Sequence, residues 1–257
     1  MLIDIHSHII PGIDDGPSDI VQFLEMANHA VDAGITNIFA TPHHRNGIYE
    51  NEKDDILQRV TYYNQLLQNE GLPLVIHPGQ ELRIHREIIK SIKNDEILTL
   101  DNKDKYLLLE FPLSQVPHYA FDVVYELFLR GFTPILAHPE RNQGFLEDPN
   151  LLFEYIHEGA LTQITAGSIL GHFGRKVKSF SEKLVEHNMA HFIASDAHNS
   201  ASRNFFLHHA YEEITKRYGI CYTDYYKGNS ELLLKGKSIV ANNTKPIRKK
   251  IFSLKWR

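Results

Sequence analysis

Leu2-Ile3-Asp4-Ile5-His6-Ser7-His8 opens the chain and decides how it is read. A short, largely apolar run ending in a His-x-His pair reads as a buried strand with two imidazoles on one side of its C-terminal end, because alternate residues of an extended chain point the same way. After this first run, Leu2 to His6, six others follow: Thr36 to Ala40, Leu74 to His77, Tyr106 to Glu110, Thr133 to His138, Leu161 to Ile164 and Phe192 to Ser195. All are mostly apolar, as strands buried on both faces are. Helical patterns with readable ends lie between them. Ser18 is placed to cap a helix whose Phe23, Leu24, Ala27 and Val31 share a face, and Gly34 to end it in the left-handed conformation. Gly71, Gly131, Gly159 and Gly219 punctuate later helices that start near Asn51, His118, Pro149 and Ser202. Strands alternating with helices predict parallel β/α units with right-handed crossovers, and seven of them predict an α/β fold curled into a distorted, TIM-like barrel. A doubly wound open sheet is the competing architecture. No linker divides the chain, so residues 1–240 read as one domain and 241–257 as a basic tail.

The composition narrows the function. With 257 residues, 42% hydrophobic and 23% charged, the chain is neither disordered nor a coiled coil. No apolar run approaches the ~18 residues that span a bilayer, and Met1 leads at once into a charged, His-rich segment rather than a signal peptide, which predicts a cytoplasmic protein. A net charge of −5 argues against a nucleic-acid binder. The lone Cys221 excludes a disulfide framework and a thiolate zinc site. It also fails as a phosphatase nucleophile, because cysteine phosphatases place an Arg six positions later and Lys227 stands there.

The residues that follow each predicted strand are the most informative, since β/α barrels build their active sites at the C-terminal ends of the strands. His6-Ser7-His8 leads to Asp14 and Asp15; Thr41-Pro42-His43-His44, Pro78-Gly79-Gln80-Glu81, Glu110-Phe111-Pro112, Ala137-His138-Pro139-Glu140-Arg141 and Ser195-Asp196-Ala197-His198 end five others. Only the sixth run departs, with Thr165-Ala166-Gly167-Ser168 suited to lining a site. A single histidine in such a place is usually a satisfied core or loop residue. Six of seven strand ends carrying metal-ligand side chains is a metal site. Nine candidates, His6, His8, Asp15, His43, Glu81, Glu110, His138, Asp196 and His198, are too many for one ion and predict two or three. Their four carboxylates and five neutral imidazoles are neutralised by two divalent ions and left positive by three, and only the latter attracts a phosphate dianion strongly. A hydroxide bridging such ions serves as nucleophile near neutral pH. Nitrogen and oxygen ligands without thiolate suit Mn²⁺, Fe²⁺ or Zn²⁺ alike. Arg141, on the fifth strand's loop, and Arg203, near the start of the last long helix, are candidate phosphate clamps with planar forks. Glu140 is a candidate for assisting the leaving group, against a structural loop carboxylate; His44 supports its neighbour or is exposed; His157, His187, His208 and His209 read as solvated or packing residues on helices.

These motifs in this order resemble the polymerase and histidinol phosphatase (PHP) superfamily, over about residues 1 to 240, and within it the manganese-dependent protein-tyrosine phosphatases of Gram-positive capsule and exopolysaccharide operons. The resemblance implies one ion at His6, His8, Glu81 and Asp196, a second at Glu81, Glu110 and His138, and a third at Asp15, His43 and His198. It implies Arg141 and Arg203 as the phosphate-binding and catalytic arginines. The implied partner is a membrane-associated tyrosine kinase of polysaccharide synthesis, dephosphorylated on its tyrosine-rich tail.

Three rivals share parts of this reading. A histidinol-phosphate phosphatase has the same metals with a narrower pocket; a nuclease or proofreading module is disfavoured by the acidic body; a metal store has no use for a phosphate clamp. The last thirteen residues carry Lys245, Arg248, Lys249, Lys250, Lys255 and Arg257 among Ile251, Phe252, Leu254 and Trp256, which leaves 21 basic against 32 acidic residues elsewhere. Such a tail is either solvated or a tether to an anionic membrane surface or kinase tail at the inner face of the membrane.

Overall fold

Strand β1 (Leu2–Ser7) is buried along its whole length, so it must lie between neighbours. The computed structural model, which describes residues 2–247, pairs it in parallel with β2 (Ile35–Ala40), and β2 with β4 (Val75–Pro78). A second parallel sheet runs in the order β3 (His43–His44), β5 (Glu81–Arg83), β6 (Tyr106–Glu110), β7 (Thr133–Ala137), β8 (Leu161–Thr165) and β9 (Phe192–Ala194).

The seven predicted runs therefore appear as nine strand segments. The two additions, β3 and β5, continue β2 and β4 after breaks, and they carry His43 and Glu81 on strand backbone rather than in loops. Pro42 causes the first break, because it has no N–H to donate to a ladder, although its carbonyl still accepts from Glu81 N–H at 3.0 Å. At the second, the Gln80 side chain replaces the ladder: its amide donates to Asn51 O and its oxygen accepts from Leu98 N–H, both at 2.7 Å.

The predicted closed barrel does not form as one ladder among the described residues. The breaks divide the hydrogen bonding into two sheets, and β9 meets β1 through an isolated parallel bridge, Ser7 to Ala197. Around it His8 N–H donates to Ala197 O at 2.8 Å and Asp196 N–H to His6 O at 3.0 Å. Alternate residues of both sheets, among them Ile3, Ile5, Leu108, Ile135, Phe192 and Ala194, nevertheless meet in one small apolar cluster, separate from the larger core under the helices.

Helices α1 (Ile20–Asp32), α2 (Lys53–Asn69), α3 (Ile88–Lys93), α4 (Ala120–Leu129), α5 (Gln143–Glu147), α6 (Pro149–His157), α7 (Ala166–Leu170), α8 (Arg175–Glu186), α9 (Leu207–Tyr218) and α10 (Ile220–Leu234) fill the connections. Helix α1 buries Phe23, Met26, Ala27 and Ala30. It is capped not by Ser18 but by Asp19, whose carboxylate accepts from Val21 and Gln22 N–H, while the Ser18 hydroxyl donates to Asp19. An Asp one position nearer the helix is the stronger acceptor. Gly34 ends the turn after α1 at φ +79°, as expected. Helix α9 begins at Leu207, five residues beyond the expected start, because residues 199–204 close a loop in which Asn199 Oδ1 accepts from Ala201 and Arg203 N–H. Arg203 consequently stands in that loop, and another long helix, α10, follows α9. Helix α10 has no counterpart in the sequence reading, and α8 is met there only through His187, which follows its last residue. Cys221, on α10, is exposed.

No helix of the described residues is long and apolar enough to cross a membrane. Lys245 N–H bonds to His187 O at 2.9 Å and Ile247 is buried, so the chain lies on the domain to its last described residue. Of the six cations on which the tether reading of the tail rests, Lys245 is described, and Arg248, Lys249, Lys250, Lys255 and Arg257 lie outside the described residues.

The contact between the first and last strands is tied by Asp4, fully buried, which accepts from Ser195 N–H at 2.9 Å and from the Ser195 hydroxyl. Burial pushes its carboxyl pKa up to about 6. Ser195→Ala leaves that carboxyl one partner short. We expect the urea midpoint of chelator-treated protein to fall, by about 1–3 kcal/mol in unfolding free energy; an unchanged midpoint would show that the Asp4 tie does not hold the strands together.

Candidate metal centre

All nine candidate ligands gather at one end of the strands. His6 lies near the end of β1, with His8 and Asp15 after it; Glu110 closes β6; His43 lies on β3 and Glu81 opens β5; His138 follows β7; Asp196 and His198 follow β9. His138 and Asp196 leave their strands in the left-handed region, at φ 35° and 53°. Neither is a glycine, and the conformation is costly for them. From these turns His138 Nε2 reaches Glu81 at 2.8 Å and Asp196 Oδ1 lies 3.5 Å from His6 Nε2.

Glu81 is the hub, fully buried. Its Oε1 lies 2.8 Å from His138 Nε2 and 3.5 Å from His6 Nε2; its Oε2 lies 2.8 Å from His43 Nδ1 and 3.4 Å from His8 Nε2. Three groups have donor atoms close enough together to share an ion: His6, His8 and Glu81; His43, Glu81 and Glu110; and His8, Asp15, His43 and His198. Asp15, His43 and His198 stand together, with His8 among them. Beside Glu81 and Glu110, His43 Nδ1 lies 3.7 Å from Glu110 Oε2, and His138 Nε2 lies against Oε1 of Glu81. Asp196 stands beside the first group, with Oδ1 3.5 Å from both His6 Nε2 and His8 Nε2.

These residues suit divalent ions on their own geometry. Glu81 Oε2, Glu110 Oε2, His43 Nδ1 and His198 Nε2 are buried without a hydrogen-bond partner. His43 Nδ1 and Glu81 Oε2 are 2.8 Å apart yet lack hydrogen-bond angles, so neither atom is satisfied by the other. Glu110 points the same way: burial, reinforced by the neighbouring charge of Glu81, pushes its pKa up to about 7. Burial also opposes charge on Glu81, but the positive His6 and His43 hold its carboxyl well below the ordinary range. Burial pulls His43 down, and Glu81 outweighs it, leaving His43 at about 9. His8 is likewise raised, Asp14 overcoming its burial. His138 and His198 fall to about 4 through burial, with Arg141 and His8 respectively adding repulsion, so both imidazoles are neutral at pH 7, the form that can bind a metal.

Residues behind the ligands orient them. Asp14 Oδ2 lies 2.6 Å from His8 Nδ1, and Gln163 Oε1 lies 2.8 Å from His6 Nδ1, so both Nε2 atoms face Glu81. Gly16 closes the loop that holds Asp14 and Asp15; a Cβ there would meet the His8 carbonyl at 2.1 Å. Sequence reasoning missed Gln163, which sits inside an apolar strand run with nothing to distinguish it. It also missed Arg83, whose NH2 lies 3.0 Å from Glu110 Oε2; the signal was its spacing, two residues from Glu81 on one strand.

Arg141 and Arg203 converge on Asp196. Arg141 NH1 donates to Asp196 Oδ2 at 2.6 Å and Arg203 NH2 to the same oxygen at 2.8 Å, while Oδ1 faces the histidines. Phe173 lies under the Arg141 guanidinium, 4.5 Å from ring to carbon. The other residues are further from the chemistry. Glu140 is fully buried and accepts from Thr165 N–H at 2.9 Å and the Ser168 hydroxyl at 2.7 Å, which is the structural alternative named for it. His44 is buried, not exposed, and accepts from Asn51 N–H at 3.1 Å. His157, His208 and His209 are exposed and His187 is partly so.

A parallel α/β scaffold with nitrogen and oxygen ligands at the strand ends, a paired arginine clamp and no placed cysteine defines a metal-dependent hydrolase of phosphate esters. Residues 2–235 match the family described as "Capsular polysaccharide synthesis, CpsB/CapC", and the chain belongs to that family. It is 44% identical to the tyrosine-protein phosphatase YwqE of Bacillus subtilis over 98% of this chain and 99% of that protein. It is 31% identical to the tyrosine-protein phosphatase CpsB of Streptococcus agalactiae over 85% of this chain and 91% of that one. Among solved structures, one from a study of YwqE of Bacillus subtilis and CpsB of Streptococcus pneumoniae, described as unique metal-dependent tyrosine phosphatases, superimposes with a TM-score of 0.93 at 42% identity, covering 96% of this chain and 100% of the other.

Because His8 and His43 carry protons in the metal-free protein, ions must displace them. The sign follows from the raised pKa values: below about 9 for His43 the proton competes with the ion, and above it the competition ends. We expect Mn²⁺ to release protons on binding at pH 7 and its affinity to rise between pH 6 and 9. Calorimetry in buffers of different ionisation enthalpy reads this directly, and a binding heat independent of buffer would contradict it.

Proposed function

We propose that this protein is a metal-dependent protein-tyrosine phosphatase whose substrate is a tyrosine-phosphorylated kinase of capsular or exopolysaccharide synthesis. One observation carries the reading: a single carboxylate, Asp196, faces the histidine cluster with Oδ1 and receives both arginines on Oδ2. An anion-binding fork is thereby held against the candidate metal ligands. The naming of YwqE and CpsB as tyrosine phosphatases supports the choice of substrate.

The assignment of ligands proposed is His6, His8, Glu81 and Asp196 for one ion, Glu81, Glu110 and His138 for a second, and Asp15, His43 and His198 for a third, with His8 and His43 close enough to serve neighbouring positions. Manganese is the proposed metal, and iron or zinc suits the same donors. Bound divalent ions supply Lewis acidity and a water of lowered pKa. The chain's own residues do the rest. Arg141 and Arg203 present their N–H groups to the phosphoryl oxygens and neutralise charge there. Phe173 holds the Arg141 plane in place. Asp15, Arg203 and Arg141 are partly exposed, at 42%, 29% and 15%, and mark the mouth by which a phosphate on a protein enters. A tyrosine phenolate, pKa ~10, leaves with little need of a proton donor, consistent with Glu140 being occupied elsewhere. The reading carries with it a cytoplasmic site of action at the inner face of the membrane. It also takes the two sheets as one distorted seven-stranded barrel, which the Ser7–Ala197 bridge and the shared inner cluster support.

The test is orthophosphate release in Mn²⁺ from a phosphotyrosine peptide, a phosphoserine peptide and histidinol phosphate, with a chelator control. We expect chelator-sensitive hydrolysis led by the phosphotyrosine peptide; a lead for histidinol phosphate would keep the chemistry and discard the protein substrate. Arg141→Ala and Arg203→Ala should each lower kcat/KM by about a hundredfold with metal content unchanged. Full activity in either variant would remove that arginine from the clamp.

A further inference from the structure

Next to the candidate site lies a groove of about 470 Å³ that the proposed chemistry does not use. One wall is α5 and the start of α6, with Leu146, Glu147 and Pro149; the other is α8, with Arg175, Lys176, Phe180 and Lys183. Both walls spring from the clamp. Helix α5 starts two residues after Arg141, and α8 starts two residues after Phe173, on which Arg141 rests. The floor is apolar, through Leu146 and Phe180, and the rim is cationic.

The cations are uncommitted. Arg175, Lys176 and Lys183 are exposed, and none pairs with a carboxylate among the described residues. The acid on the opposite wall, Glu147, already accepts from Gln143 at 2.6 Å. The body of the protein is otherwise strongly acidic, so a cationic stretch beside a phosphate clamp stands out against its surroundings. Helix α8 adds the positive end of its dipole, with no side-chain cap over its first N–H groups.

We propose that this groove docks an acidic segment of the substrate protein, Asp and Glu residues a few positions to one side of the phosphotyrosine, and so selects among phosphotyrosines by their flanks. The proposal rests on the tyrosine-phosphatase reading and adds a specificity-determining surface to it. From Arg175 to Lys183 along α8 is ~12 Å at the helical rise, which an extended chain covers in about four residues. Three exposed cations acting on as many carboxylates give a modest, salt-sensitive preference rather than tight binding.

The experiment compares kcat/KM for phosphotyrosine peptides with acidic residues on the N-terminal side, on the C-terminal side or on neither, together with a small aryl phosphate. The enzymes are the full chain, the exposed-surface variant Lys176→Ser/Lys183→Ser and the charge-keeping Lys176→Arg/Lys183→Arg. We expect acids on one side to raise kcat/KM about fivefold over the neutral peptide, through KM, and to lose that gain in 0.5 M salt and in the Ser variant but not in the Arg variant. The neutral peptide and the aryl phosphate should be hydrolysed alike by all three enzymes. A wild-type enzyme indifferent to acidic flanks, or a preference that survives in the Ser variant, overturns the groove while leaving the phosphatase reading intact. Absence of hydrolysis of every phosphotyrosine substrate and of the aryl phosphate overturns both.

Discussion

A buried carboxylate with four imidazoles around it is the constraint on which the rest of the molecule depends. Glu81 has no access to water, and a carboxylate in that position persists only if positive charge surrounds it. His6 at the end of β1 and His43 on β3 supply that charge as imidazolium in the bare protein, and bound divalent ions would supply it in their place. Glu110, lying close by, intensifies the demand, since two buried carboxylates repel unless a cation stands between them. The cluster is therefore unfavourable without cations and favourable with them, which couples folding at this end of the strands to occupancy.

Geometry that looks irregular elsewhere answers to this centre. Across the breaks after β2 and β4 the register is kept, so that His43 and Glu81 are paired neighbours just as Ala40 and Pro78 are. The left-handed turns at His138 and Asp196 bring two further ligands inward. Asp14 and Gln163 each spend a hydrogen bond on holding an imidazole in one orientation. Asp196 then divides its two oxygens between cluster and clamp, so the distance from ligands to arginines is set by the width of one carboxylate.

Much of this was legible in the sequence, because strand ends in a parallel α/β fold converge whatever the details of closure. The positions of His6, His8, Asp15, His43, Glu81, Glu110, His138, Asp196 and His198 could be read off as the residues that follow apolar runs. How close each pair of them comes could not, since spacing along the chain gives the strand but not the angle at which a side chain enters; the 2.8 Å approach of His43 Nδ1 to Glu81 Oε2 is an example. The barrel was visible as seven units but not as two ladders, because the Thr41-Pro42 and Gly79-Gln80 breaks look like loop residues. Gln163 was hidden for the opposite reason, as a polar residue inside a run that reads as core. The cap of α1 was displaced by one residue because Ser18 and Asp19 are both competent acceptors.

The meeting of the first and last strands has a consequence for the life history of the protein. Asp4 and Ser195, which tie that seam, are 191 residues apart in sequence, and the ligands themselves run from residue 6 to residue 198. No metal group that includes a β1 histidine and Asp196 or His198 exists until nearly the whole chain has left the ribosome, and closing so long a span is a slow, late event. Two of the groups, His6 with His8 and Glu81, and His43 with Glu81 and Glu110, draw only on the first 110 residues, whereas the group that includes His198 waits for the last strand. The meeting of Arg141 and Arg203 on Asp196 is thus assembled last, and a chain truncated before β9 keeps part of the candidate centre but not the carboxylate that joins it to the arginines.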